Sequence, residues 1–294
     1  MGTDRMDKPI MLREIIASPG IHVGPGVYDC LGAQMVAKLG FELVFTSGFG
    51  ISGSTLGRPD YGYLTATEML YTVGRIARSV SIPLIADADT GYGNPLNVMR
   101  TVSDIVPLGV GGIILEDQQW PKKCGHFEGK RLIDQSEHVE KIHAAVEARG
   151  DSGLVIIGRT DALAPLGIEE AIDRGGAYFE AGADVIFIEA PQSLEDLKTI
   201  VASFPDIPLF ANMVEGGKTP FLPAPELEQM GYKLVAYPLS GLFAATAAMT
   251  ACLKHLKDHG TSVGAPVEML DFQKYEDLID LEHYKDIEMK YVAK

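Results

Sequence analysis

Short aliphatic and β-branched runs alternate with longer stretches whose apolar residues recur three and four apart, and the alternation continues through most of the chain. The short runs predict strands over 22–29, 42–48, 83–89, 111–117, 154–162, 184–190, 208–214 and 233–239. Between them, segments such as LGAQMVAKLG and QSEHVEKIHAAVEARG carry helical periodicity, and many end on glycine as helix C-termini tend to. Apolar strand bodies imply burial on both faces, and the interposed helices imply parallel neighbours. The expected fold class is therefore α/β, a (β/α)8 TIM barrel. An open doubly wound sheet is the competitor, but the glycine-rich dinucleotide fingerprint it would carry after a first strand is absent. With no Pro/Gly/Ser linker, one domain over 1–294 is expected. The tail from about Pro266, PVEMLDFQKYEDLIDLEHYKDIEMKYVAK, reads as amphipathic helix left over after eight βα units, and 240–294 is expected to pack on a neighbouring subunit.

Polar residues fall at the C-terminal ends of the predicted strands: Ser47 and Gly48, Asp87 and Asp89, Glu116 and Asp117, Arg159 to Asp161, Glu189, and Asn212. In a barrel those ends converge on one mouth. Asp87 and Asp89 lie two apart, so they share a strand face, and with Glu116 they offer hard oxygen ligands suited to Mg²⁺ or Mn²⁺. Singly, each such carboxylate reads as a helix cap or a lysine partner. Arg159 closes an apolar strand, where its planar fork suits a carboxylate. The loop TSGFGISGSTLG offers free backbone N–H groups to an anion, although such loops are also simply turns.

Composition narrows the partners. A formal charge of −15 argues against nucleic-acid backbone binding. No run of 18 apolar residues and no signal-like apolar stretch appears, so no membrane role and a cytoplasmic location are expected. Three widely spaced cysteines fit neither a disulfide framework nor a zinc site. Cys30 and Cys252 sit in apolar helical patterns and read as core, whereas Cys124 lies in DQQWPKKCGHFEGKRL, a glycine- and lysine-rich stretch after the fourth strand. That stretch reads as a lid over the mouth. Lys123 and His126 beside the thiol predict a Cys124 easier to ionise than usual, against the plain reading of an exposed loop cysteine. His22, His138 and His143 are assigned no role.

The motifs DADTGYG, LEDQ, KKCGH, GRTDA and NMVEGGKTP, in this order, resemble the isocitrate lyase/phosphoenolpyruvate mutase superfamily over about 10–260, with LEDQ and KKCGH similar to its lyase branch. The resemblance implies a barrel whose last helix is exchanged between subunits, a homotetramer built as a dimer of dimers, and Mg²⁺ at the mouth. Carried over by motif, Asp87, Asp89 and Glu116 match the metal cluster, with Asp60 in the same network. Ser47, Gly48 and Phe49 match the loop that holds the α-carboxylate, Arg159 the clamp on the 2-oxo acid unit, and Cys124 the proton donor.

The implied reaction is retro-aldol cleavage of a 2-hydroxy dicarboxylate to pyruvate or glyoxylate and a carboxylic acid. The GGKTP form of the NMVEGGKTP segment resembles enzymes acting on smaller dicarboxylates, both lyases of 2,3-dimethylmalate and related malates and oxaloacetate hydrolases, and Pro238 resembles the lyases. Oxaloacetate hydrolase or decarboxylase and 2-methylisocitrate lyase are the alternatives. A phosphonate mutase is disfavoured by the thiol, and a non-catalytic binding protein by the filled polar positions. Phe45 stands where several of these lyases have a tyrosine proposed as the base, which leaves the proton acceptor open between a metal-bound hydroxide and Glu189 acting through water.

Overall fold

The computed structural model describes residues 7–292. Eight parallel strands form a closed barrel in sequential order: β1 (His22–Val27), β2 (Val44–Thr46), β3 (Leu84–Asp87), β4 (Gly112–Glu116), β5 (Val155–Thr160), β6 (Val185–Ile188), β7 (Leu209–Asn212) and β8 (Leu234–Tyr237). β8 returns to β1 with Val235 opposite Val23, which leaves no open edge. The barrel is thus present, with strands two to four residues shorter than the apolar runs suggest, because the polar ends of those runs leave the ladder to build the mouth.

Every strand is buried on two faces, which is why no simple apolar/polar alternation marks it. Phe45, Ile85, Ile114, Ile157, Phe187 and Phe210 fill the barrel, while their neighbours, among them Val44, Leu84, Ile113, Ile156 and Ile186, pack in the shell between strands and helices. A helix over Asp7–Ala17, not expected from the sequence, brings Leu12 into the barrel-interior cluster with Leu43 and Val155. Gly112 suits the tight packing there, since a Cβ on it would lie 3.0 Å from both Leu12 Cδ2 and the Val155 carbonyl oxygen.

The chain divides into two compact units, 1–240 and 241–294. The second contains most of the helix Ser240–His259 together with the helices Phe272–Leu278 and Leu281–Tyr291. The residues from Pro266 to Asp271 precede these last helices rather than joining them, so the helical tail is shorter than its amphipathic pattern suggests. Cys252 is partly exposed in its helix and Cys30 is partly exposed at the first turn of Cys30–Lys38, which corrects the expectation that both are core. A cysteine in an apolar helical pattern is buried only where a neighbour covers that face. No described helix is long and apolar enough to cross a membrane.

Candidate active site

The period of two along each strand builds the mouth. Two residues beyond each barrel-filling side chain comes a polar one on the same face: Phe45 leads to Ser47, Ile85 to Asp87, Ile114 to Glu116, Ile157 to Arg159, Phe187 to Glu189 and Phe210 to Asn212. Ser47, Asp87, Arg159, Glu189, Asn212 and Pro238 line one cavity together with Cys124. Its volume of about 50 Å³ leaves room for only a few waters, far below the roughly 300 Å³ at which ligand pockets begin. A larger opening lined by Tyr92 and Trp120, about 330 Å³, contains none of these residues.

Segment 117–132 closes the cavity from above. Its neck is pinned by a Gln118–Leu132 bridge and by a hydrogen bond from Gln119 N to Arg131 O. Phe127 packs edge-on to Phe49 and against Tyr61, and Cys124 N donates to Asp60 O over 3.1 Å. Gly125 allows the close approach, because a Cβ there would lie 2.5 Å from both the Arg159 guanidinium and Glu189 Cγ.

Of the two adjacent lysines the structure sends Lys122, not Lys123, into the site. Lys122 Nζ lies 2.8 Å from Asp60 Oδ2 and 2.6 Å from Asp89 Oδ1 and is almost fully buried. Lys123 Nζ instead turns outward to the carbonyl of Gly129 and the face of Tyr61. Burial pushes the Asp89 carboxyl up to about 6, with Asp87 and Asp60 adding to the rise and Lys122 opposing it. Burial likewise drives Glu116 well above the usual carboxylate range against the pull of Arg159 and Lys122.

The acidic residues expected at a metal are thus gathered, though not as a ready-made set of direct ligands. Among the described residues no three acidic, histidine or cysteine side chains converge as such a set. The donor chemistry still fits. Glu116 Oε1 is buried with no hydrogen-bond partner. Beside Gly48, the position of an added Cβ is 2.7 Å from Asp87 Oδ2 and 3.5 Å from Asp89 Oδ1, so both oxygens face one small space. Mg²⁺ ordinarily takes one or two carboxylates and fills its octahedron with water and substrate, which this oxygen-only set permits.

Arg159 is held on every side. Its Nε is 2.9 Å from Asp161 Oδ2, its terminal nitrogens are 3.3 Å from Glu116 and 3.2 Å from Glu189, and its plane lies over Phe187. Burial alone would raise Glu189, but Arg159 and His126 outweigh it and hold that carboxyl down to about 2, so it is an anion of low basicity. Behind this layer Asp117 accepts from Thr160 Oγ1, Arg174, Tyr178 and the Asp161 amide. The buried arginine in an apolar helix face over 168–180 was the sequence signal for that support.

The Cys124 thiol differs from expectation. Burial pushes it up to about 12, with Asp60 and Glu189 adding to the rise, while the His126 amide and Lys122 only partly counter it. Lys123, the neighbour expected to activate it, points away. The half-buried thiol lines the cavity, and the rise favours its neutral S–H form.

A closed parallel barrel with an acidic cluster, a buried arginine and a lidded thiol at its mouth has the architecture of a barrel-class enzyme. Residues 12–257 match the phosphoenolpyruvate phosphomutase family, and the chain belongs to it, within the phosphoenolpyruvate mutase/isocitrate lyase superfamily. It is 44% identical to 2,3-dimethylmalate lyase of Eubacterium barkeri over 98% of this chain and 99% of that protein. To the petal death protein of Dianthus caryophyllus it is 42% identical, over 95% and 88%. Among solved structures, oxaloacetate acetylhydrolase in complex with the inhibitor 3,3-difluorooxalacetate superposes with a TM-score of 0.93 at 35% identity, covering 98% of each chain. Phosphonopyruvate hydrolase in complex with oxalate and Mg²⁺ superposes with a TM-score of 0.88 at 31% identity, over 97% and 99%.

Proposed function

We propose that the chain is a Mg²⁺-dependent carbon–carbon lyase that cleaves a substituted malate of the 2,3-dimethylmalate kind to a 2-oxo acid and a carboxylic acid. The observation that carries the reading is a half-buried thiol sharing one lidded cavity with Arg159 and with Asp87 of the acidic cluster. Likeness to 2,3-dimethylmalate lyase supports the substrate class.

Asp87, Asp89, Glu116 and Asp60 would hold Mg²⁺, directly or through water. When bound, the ion supplies Lewis-acid polarisation and charge neutralisation for the 2-hydroxy and carboxylate oxygens. The chain's own groups do the rest. Gly48 N donates to Asp87 Oδ2 over 3.0 Å, so the Phe49 amide at the start of the helix after Ser47 receives the α-carboxylate, and Arg159 clamps the same unit. As the hydroxyl proton passes to a water molecule in the cavity and on to solvent, the C2–C3 bond breaks and its electron pair passes into the departing carboxylate as an enediolate. Cys124 donates its S–H proton to that carbon, and Lys122 stands near to steady the thiolate until solvent reprotonates it. Glu189, already tied to Arg159, Asn212 and His126, serves better as an anchor than as the proton acceptor.

The likeness to oxaloacetate acetylhydrolase supports a second reading, hydrolysis of oxaloacetate at the same site. Incubation with Mg²⁺ and a panel of substituted malates, methylisocitrate and oxaloacetate, following 2-oxo acid and oxalate, separates them. Pyruvate from 2,3-dimethylmalate is expected, and oxalate from oxaloacetate as the sole product would replace the lyase reading with the second.

A homotetramer, with segment 240–294 of a 1–294 barrel domain packing on a neighbouring subunit, belongs to the same proposal. Apolar side chains exposed on that segment, such as Met249, Leu253, Phe272 and Tyr275, support it. The three free cysteines fit a reducing, cytoplasmic compartment.

A further inference from the structure

The lid is fastened on two sides. On one, Lys122 and Lys130 bury their ammonium groups on Asp60 and Asp161. On the other it meets the segment after β7, and the chemistry above makes no use of that contact. There the backbone N–H of Lys218 donates to His126 Nδ1 over 3.1 Å, and Lys218 Nζ pairs with Glu128. An accepting Nδ1 fixes the ring hydrogen on Nε2, the nitrogen that lies 3.3 Å from Glu189 Oε1 at an angle poor for a hydrogen bond. Gly217 sits against the same ring: a Cβ there would come within 2.9 Å of His126 Cε1 and Nδ1 and 3.0 Å of Val214 Cβ.

We propose that Gly217 and Lys218 form a latch, in which Lys218 is a positioning residue acting through His126. Its N–H selects the ring nitrogen presented to Glu189, and the flat seat beside Gly217 lets the lid settle over the cavity. The two contacts are unequal. Glu128 is 87% exposed, and an ion pair in such surroundings is weak. The backbone bond to Nδ1 is partly buried and fixed by the fold of both segments, so it carries the latch. Through Glu189 the effect reaches Arg159, so a loosened latch weakens the grip on the 2-oxo acid unit as well as the closure. The inference leans on the lyase reading only in taking the closed lid as the reacting state, and it is tested without substrate.

The test is hydrogen exchange of the amides of 122–130 in the full-length protein with Mg²⁺ and oxalate, alongside nitrogen chemical shifts of His126 in protein carrying labelled histidine. In the wild-type protein His126 is expected to carry its hydrogen on Nε2. Gly217→Val should speed exchange of the lid amides about tenfold, the worth of one such hydrogen bond, and mix the two ring tautomers. Lys218→Ala, which keeps the N–H, should change both by no more than about threefold. A folded Gly217→Val protein with wild-type lid exchange would overturn the latch. So would a wild-type spectrum with the hydrogen on Nδ1, a result that needs no variant to fold. If the latch results hold and no dicarboxylate is cleaved, the lyase reading falls and the latch stands.

Discussion

Cys124 and Lys122 show how far surroundings decide what a side chain does. Cationic neighbours in sequence point to an ionised thiol, but Lys123 turns outward, and burial outweighs the nearby charge of Lys122. A group that must give a proton to carbon is better served by this environment, since it arrives protonated at neutral pH. The two lysines separate cleanly by experiment. Lys122→Ala leaves Asp60 and Asp89 without their buried counter-charge and is expected to cost about 3–5 kcal/mol in urea unfolding without added metal. Lys123→Ala should cost no more than about 1 kcal/mol. Equal losses in the two variants would mean that the assignment of the inward lysine is wrong. Neither residue's direction was legible in the sequence, because an irregular loop has no period to say which of two neighbours faces inward.

Strands and helices were more legible, and for a physical reason. A period of two fixes which strand residues share a face, so once the apolar bodies are recognised, Asp87, Glu116, Arg159, Glu189 and Asn212 must all point into the mouth. What the sequence did not reveal was whatever depends on a partner distant in sequence: the helix Asp7–Ala17, the exposure of Cys30, and the burial of His138. His138, in the helix Gln135–Arg149, packs edge-on to Tyr178. Burial drives it down to about 3, with Lys141 and Arg174 adding to the fall. The sign follows from linkage. Between about pH 6.5 and 3 the unfolded chain binds a proton at this residue that the folded protein refuses, so stability is full above that window and drops as pH falls through it, by up to about 1.4 kcal/mol per pH unit. Unfolding free energies measured from pH 7 to 4 should show this slope and lose it in His138→Leu; an unchanged slope in that variant would remove His138 from the account.

For the molecule as a whole, the −15 charge and the apolar residues left open on 241–294 pull in opposite directions. Net charge keeps protomers apart at long range, whereas contiguous apolar side chains favour burial against another copy. Sedimentation is expected to give a tetramer that persists in low salt, and Leu253→Glu is expected to shift it toward smaller species; a monomer at micromolar concentration would contradict the assembly. In the lidded cavity, the proposed cleavage ends with a proton passing from Cys124 to carbon. The most direct test is turnover of 2,3-dimethylmalate by Cys124→Ser, with pyruvate binding followed in parallel. A fall of about 10²–10⁴ in rate with pyruvate binding little changed is the predicted result, and a variant that turns over as fast as the wild-type protein would contradict it.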